Sequence, residues 1–120
     1  ERTEIMMAIG NHDEHTGTAI SDISAALILA DKSDVHRDRV VNKNLSKFDI
    51  HDRVNYAVTN ADLKLNNQTR KILLNLTIDT KICPVLDYFE IFMDRTIMSK
   101  YAAKYLNIWY ELVINDTKLL

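Results

Sequence analysis

The residue best placed to do chemistry is Asp31, which follows a run of consecutive apolar positions on a predicted helix. Leu27 and Ile28 lie one turn before it on that helix and Val35 lies one turn after it. These neighbours predict a partly buried carboxylate, and burying a carboxylate without a partner costs on the order of several kcal/mol. Asp31 is therefore expected to meet an arginine in an internal salt bridge, several backbone donors or a metal ion.

The charged residues around and after Asp31 are spaced as they would be on one helix. Such rows usually stabilise a solvated face by roughly a few tenths of a kcal/mol per pair. A second interpretation is a phosphate-binding edge beside Asp31, because lysine and arginine bind phosphoryl groups, and Lys32 and Arg37 are its candidates. The basic row is Lys32, His36 and Arg39, and the mixed row is Asp34, Arg37 and Asp38.

A polar loop, His12-Asp13-Glu14-His15, is the second place where donor side chains gather. Imidazole and carboxylate groups together suit Zn, Mn or Fe. A solvated loop fits the same four residues equally well, because histidine is common on surfaces. The sequence leaves both interpretations open.

Composition narrows the class of protein. The chain has 120 residues, enough for one core, and a net charge of −2, which disfavours a strongly basic nucleic-acid binder. No apolar run is long enough to cross a membrane. The single cysteine, Cys83, excludes an internal disulfide, fits a reducing cytoplasmic compartment and is expected to be a buried structural thiol.

The first half of the chain is predicted to be mainly helical. The second predicted helix begins after Ser21, a good N-cap residue, and has its inward face at Ile23, Ala26, Leu27 and Ala30. Periodicity does not decide between helix and strand over 50–58. The predicted helices are Thr3 to Ile9 and Asp22 to Val40.

The second half is predicted to be a β-β-α-β layer, so that the whole chain is α+β. A hairpin turns at 66–69, and the long helix has its core face at Phe89, Met93 and Ile97. The predicted elements are strands over 61–65 and 72–78, a helix from Pro84 to about Leu106, and a strand from Trp109 to Asn115.

The segments Ile9-Gly-Asn-His-Asp-Glu14 and Ile23-Ser-Ala-Ala-Leu-Ile-Leu-Ala-Asp-Lys32 resemble the C-terminal part of an HD-superfamily metal-dependent phosphohydrolase, an all-helical bundle. The resemblance covers the first third of the chain. It implies that Asp31 is the late metal-ligand aspartate of that family and His12 an additional histidine ligand. Asp31 to Arg37 also resembles a bacterial subgroup whose chain continues into an α+β tail.

That family binds its metal with an early histidine and a His-Asp pair as well, and the resemblance puts both before Glu1. His51-Asp52 follows Asp31, in the wrong order, and is not the pair. The resemblance therefore implies residues 1–47 as the last helices of an HD-like domain and residues 48–120 as an α+β domain. It implies a phosphohydrolase fragment acting on a phosphoester in a phosphorylated small molecule. The full-length protein would use Mn, Fe, Mg or Zn, whereas this chain alone is expected to be inactive and to hold no ion tightly.

The alternative is a non-enzymatic dimerisation or regulatory module. Ile5, Met6, Met7 and Ile9 leave apolar surface on the short first helix. Because such surface seeks a partner, a homodimer is expected.

Overall fold

Helices and one mixed sheet form the α+β fold of the computed structural model, which describes residues 1–13 and 16–120. The α+β class and the layout expected from the sequence are confirmed. Short 3-10 turns at Arg37–Arg39 and Leu45–Lys47 separate the second and third helices. The helices of the described residues are α1 (Arg2–Gly10), α2 (Asp22–Ser33), α3 (Ile50–Ala57) and α4 (Val85–Tyr105), and the strands are β1 (Val58–Asn66), β2 (Lys71–Ile78), β3 (Trp109–Ile114) and β4 (Thr117–Lys118).

The sheet has the order β1-β2-β3-β4. β1 and β2 form the predicted antiparallel hairpin, in which Leu63 lies opposite Leu74. Because α4 connects β2 to β3, these two strands run parallel, with Leu74 opposite Leu112. Opposed residues point to the same face, so Leu74 of β2 and Leu112 of β3 share one buried face. The prediction missed β4, which pairs antiparallel with β3.

Helix α2 begins where the sequence predicts, because the Ser24 N–H donates to Ser21 Oγ at 3.1 Å. It ends at Ser33, however, so the predicted extension to Val40 is wrong. Ser33 Oγ bonds back to the Ala30 carbonyl at 2.8 Å, and Asp34 leaves helical geometry with ψ of 81°. The chain then turns inward and buries Val35.

The predicted inward face of α2 is also wrong. Ile23, Ala26 and Ala30 are exposed, and Leu27 is half-buried. The buried residues of α2 are Ser24, Ala25, Ile28, Leu29 and Lys32. The true face includes a serine and a lysine, which apolar periodicity excludes.

Residues 50–58 divide between the two structures that the pattern allowed. Asp49 caps α3 through its carboxylate, which accepts from the Asp52 N–H at 2.8 Å. The helix buries Val54 and Ala57, and the strand then begins at Val58. The Asp49 cap thus favours a helix in a segment where periodicity alone does not distinguish helix from strand.

Helix α4 packs a different face inward from the one predicted. Met93 and Ile97 are 45% and 43% exposed, and Phe89 is only half-buried, so the prediction of a core stripe there is wrong. The buried face is Tyr88, Phe92, Arg95, Thr96, Met98, Ser99, Ala102 and Ala103.

One hydrophobic cluster joins the helices to the sheet. It includes Ile28 from α2, Val54 from α3, and Leu74 and Leu112 from the sheet. Helix α4 contacts α2, α3 and β3, and α1 packs against α2. Helix α4 therefore positions the end of α2, where Asp31 lies.

Candidate functional site

Asp31 lies in the last turn of α2, at the border of the core. Its side chain is 39% exposed, and one carboxylate oxygen lies 2.6 Å from the Lys32 ammonium. Ile28 and Val35 beside it are buried. Asp31 is therefore a partnered, partly buried carboxylate, and the lysine is its neighbour in the chain rather than a distant arginine.

Arg95 is the residue that sequence reasoning missed. It is 8% exposed, and its Nη2 donates to the Asp31 carbonyl oxygen at 2.8 Å. Its guanidinium carbon lies 4.8 Å from the centroid of the Phe92 ring. The last carbonyls of a helix lack intrahelical donors and carry partial negative charge, so a buried cation is well placed at the end of α2. In the sequence Arg95 is recognisable only as the one arginine of α4, at a position that the predicted core face does not include.

Two buried cations thus surround the end of α2. Lys32 is 5% exposed and Arg95 8%. Burying cationic groups is costly unless each is paired. The Asp31 carboxylate supplies one partner to Lys32, and its carbonyl supplies one to Arg95.

The charges around Asp31 determine its pKa. Partial burial acts to raise that pKa, but the hydrogen bond and charge of Lys32, with the charges of Arg95 and His12, outweigh burial and hold it below its ordinary value. His12 therefore lies close enough to act on Asp31, although 18 residues separate them in the sequence.

His12 follows the end of α1. Its Nδ1 contacts the carbonyl oxygen of Ile9, and the ring is half-exposed. Gly17 closes the loop by donating its N–H to the Asp13 carbonyl at 2.7 Å. Glu14 and His15, the other two residues of the predicted donor cluster, lie outside the described residues.

The described residues do not complete a metal site. Within 1–13 and 16–120, no three His, Cys, Asp or Glu side chains are grouped closely enough to hold an ion. Divalent transition metals normally need at least four ligands, counting water. Asp31 and His12 are therefore two candidate ligands, fewer than a complete metal site needs.

The charged rows predicted after Asp31 do not form, because α2 ends at Ser33. Arg39 instead donates from Nη1 to the Asp34 carboxylate at 3.1 Å. His36 Nδ1 lies 3.3 Å from an Asp38 carboxylate oxygen. These contacts are exposed and local, which is the solvated surface that the sequence also allowed.

The two predicted phosphate contacts have different surroundings. Lys32 is paired with Asp31, whereas the guanidinium carbon of Arg37 lies 4.6 Å from the centroid of Tyr56 on α3. Arg37 lines a cavity together with Tyr56 and several residues of the loop before α3, and neither Asp31 nor Lys32 lines that cavity. Lys32 and Arg37 therefore do not share one edge beside Asp31.

Cys83 is 2% exposed, and burial, with the negative charge of Asp87, raises the pKa of its thiol. Both effects disfavour the thiolate, which is the nucleophile. The expectation of a structural cysteine agrees with this position.

No family model, curated protein or solved structure matches this chain. No helix among the described residues is long and apolar enough to cross a membrane.

Proposed function

We propose that this chain contributes Asp31 and His12 to the metal site of an HD-type phosphohydrolase that acts on a phosphoester. The observation that supports the proposal is that Asp31 and His12 lie within range of an electrostatic interaction, which adds to the larger effect of Lys32 on the pKa of Asp31. They are the residues that the resemblance identifies as ligands. A lowered pKa keeps the carboxylate ionised, which is the form that binds metal.

The chemistry of the surroundings also favours an anionic ligand. Lys32 and Arg95 place two cations at the end of α2, and Lys32 lies within 2.6 Å of the Asp31 carboxylate. Lysine and arginine bind phosphoryl oxygens, the former as a point charge. The Asp31 carboxylate would help to hold a metal ion, and the Lys32 ammonium beside it would contact a phosphoryl group.

A bound divalent ion would supply a Lewis acid and an activated water to such a site. The described residues offer two ligands, so further ligands must come from residues other than these. For that reason we expect weak, exchangeable metal binding and no hydrolysis by this chain alone.

Paramagnetic broadening by Mn²⁺ tests the proposal. Millimolar Mn²⁺ should broaden the amide signals of His12 and Asp31 in a ¹H–¹⁵N spectrum, and Asp31→Asn should abolish the effect. Asp34→Asn is the matched control, because Asp34 lies three residues on and pairs with Arg39 on the surface. Sub-micromolar binding that survives in Asp31→Asn, or equal loss in both variants, would show that the ligand assignment is wrong.

A homodimerisation module is the second candidate function, and the exposure of α1 favours it. Met6 is 69% exposed, and Ile5, Met7 and Ile9 are each 45% or more exposed. Clustered apolar surface of this kind marks interaction sites. Sedimentation at micromolar concentration should show a dimer that Met6→Glu dissociates, whereas a monomeric unsubstituted chain would contradict this candidate.

A further inference from the structure

A cavity of about 390 Å³ lies between the loop that follows α2 and helix α3. This volume is within the range of small-molecule sites. Cationic, amide and apolar side chains share its wall. The lining residues are Arg37, Asp38, Val40, Asn42, Lys43, Leu45, Phe48 and Tyr56.

Arg37 is the most unusual member of this wall. Its guanidinium stacks over Tyr56 at 4.6 Å, and Tyr56 is held edge-on by Phe48 with ring centroids 5.4 Å apart. The Arg37 Nε is buried and donates to no group among residues 1–13 and 16–120. Arg37 therefore brings to the cavity wall a positive charge that no described carboxylate pairs with.

The wall has more positively than negatively charged side chains, which favours an anionic ligand. Lys43, an exposed residue of the same loop, adds a second cation. The lining carboxylate, Asp38, lies 3.3 Å from His36, and no described carboxylate forms an ion pair with Arg37 or Lys43. Two cations and a fork of N–H groups match the several acceptor oxygens of a phosphate dianion better than the two of a carboxylate.

Apolar side chains also contribute to the wall. Val40, Leu45 and Phe48 line the cavity beside these cations. Aromatic faces and aliphatic side chains bind planar apolar groups. The ligand should therefore carry a flat apolar body next to its phosphate.

We propose that this cavity binds an aryl or heteroaryl phosphate monoester, with its phosphate on Arg37 and Lys43 and its ring against Leu45 and Phe48. This site involves neither Asp31 nor His12, so it goes beyond the proposed function. It also gives the arginine that the sequence singled out for phosphate binding a location of its own.

Phenyl phosphate is the probe, titrated with EDTA present while ¹H–¹⁵N amide shifts are followed. Saturable shifts are expected over 37–56, with weaker binding of inorganic phosphate, which lacks the ring, and of benzoate, which lacks the dianion. Arg37→Gln should weaken binding about tenfold, the scale of one charged hydrogen bond. Arg39→Gln, the control at an arginine already paired with Asp34, should change it less than about twofold.

Lys43→Gln provides a second variant at an exposed position, where the fold is not at risk, and should weaken binding about threefold. Absence of saturable shifts at millimolar phenyl phosphate would overturn the proposal. So would equal weakening by Arg37→Gln and Arg39→Gln, or benzoate binding as tightly as phenyl phosphate. Because EDTA removes divalent ions, each of these failures leaves the Mn²⁺ test of Asp31 unaffected.

Discussion

The Lys32 ammonium lies 2.6 Å from the carboxylate of Asp31, the residue directly before it in α2. Consecutive helical residues point in different directions, so their side chains do not normally meet. Here Lys32 extends along the buried face of the helix, with 4% of its side chain exposed, while Asp31 is at the border of that face. The pair thus joins a buried cation to a carboxylate that solvent still reaches.

Replacing Asp31 tests what this pair contributes to stability. Asp31→Asn should lower the free energy of unfolding at pH 7 by about 1 kcal/mol, because solvent screens a pair whose carboxylate is 39% exposed. Urea unfolding followed by circular dichroism measures it. Asp34→Asn breaks a pair with a 63% exposed carboxylate and should cost less than about 0.5 kcal/mol.

The same variant has a defined pH dependence. The pKa of Asp31 is lowered in the fold, so its contribution is present above the ordinary value of 3.8 and is lost as pH falls through the lower folded pKa. Asp31→Asn has no carboxylate to protonate. The stability difference between the two proteins should therefore be constant near neutrality and should approach zero in acid. A difference that grows on acidification would contradict the lowered pKa.

Local signals in the sequence predict an element correctly where the interactions that form it lie close together in the chain. Ser21 caps α2 as predicted, and β1 and β2 form the predicted hairpin. The end of α2 could not be foreseen in the same way. It depends on the burial of Val35 and on Arg95, which binds the Asp31 carbonyl from 64 residues away.

The faces of α2 and α4 were mispredicted for one physical reason. Each buried face contains polar residues whose partners lie on other elements or on their own backbone. Arg95 donates to α2, and Thr96 Oγ donates to the Phe92 carbonyl at 3.1 Å. Apolar periodicity counts such residues as solvent-facing and therefore selects the wrong face.

Neighbouring substitutions on α4 test the corrected face. Phe92 is 5% exposed and Met93 45% exposed. Phe92→Ala should lower the free energy of unfolding by about 3–5 kcal/mol, whereas Met93→Ala should change it by less than about 1 kcal/mol. Circular dichroism is the suitable signal, since Trp109 is 73% exposed and its fluorescence reports little on the core. Equal losses of stability in the two variants would contradict the observed buried face of α4.

Thiol reactivity tests the placement of Cys83. The folded protein should react with a disulfide reagent at pH 8 far more slowly than the urea-unfolded protein, because the thiol is 2% exposed and its pKa is raised by burial and by Asp87. One equivalent should react after unfolding, since the chain has one cysteine. Fast labelling of the native protein would mean that the start of α4 opens readily.

The chain's two glycines give a matched pair for the loop that carries His12. A Cβ on Gly17 would collide with the carbonyl oxygens of Asn11 and Asp13 and come within 2.7 Å of the Met98 methyl, whereas a Cβ on Gly10 would meet nothing within 4 Å. Backbone oxygens cannot rotate away as a side chain can, so Gly17→Ala must displace the loop.

We expect Gly17→Ala to lower the free energy of unfolding by about 2–3 kcal/mol, the scale of overpacking. Gly10→Ala should be neutral or stabilise by up to about 1 kcal/mol, because alanine is the better helix former. Thermal unfolding of both variants measures the contrast, and amide spectra should show His12 and Asp31 shifting only in Gly17→Ala. If Gly17→Ala were as stable as Gly10→Ala, the close packing of Gly17 against the Asn11 and Asp13 carbonyls and Met98 would be contradicted.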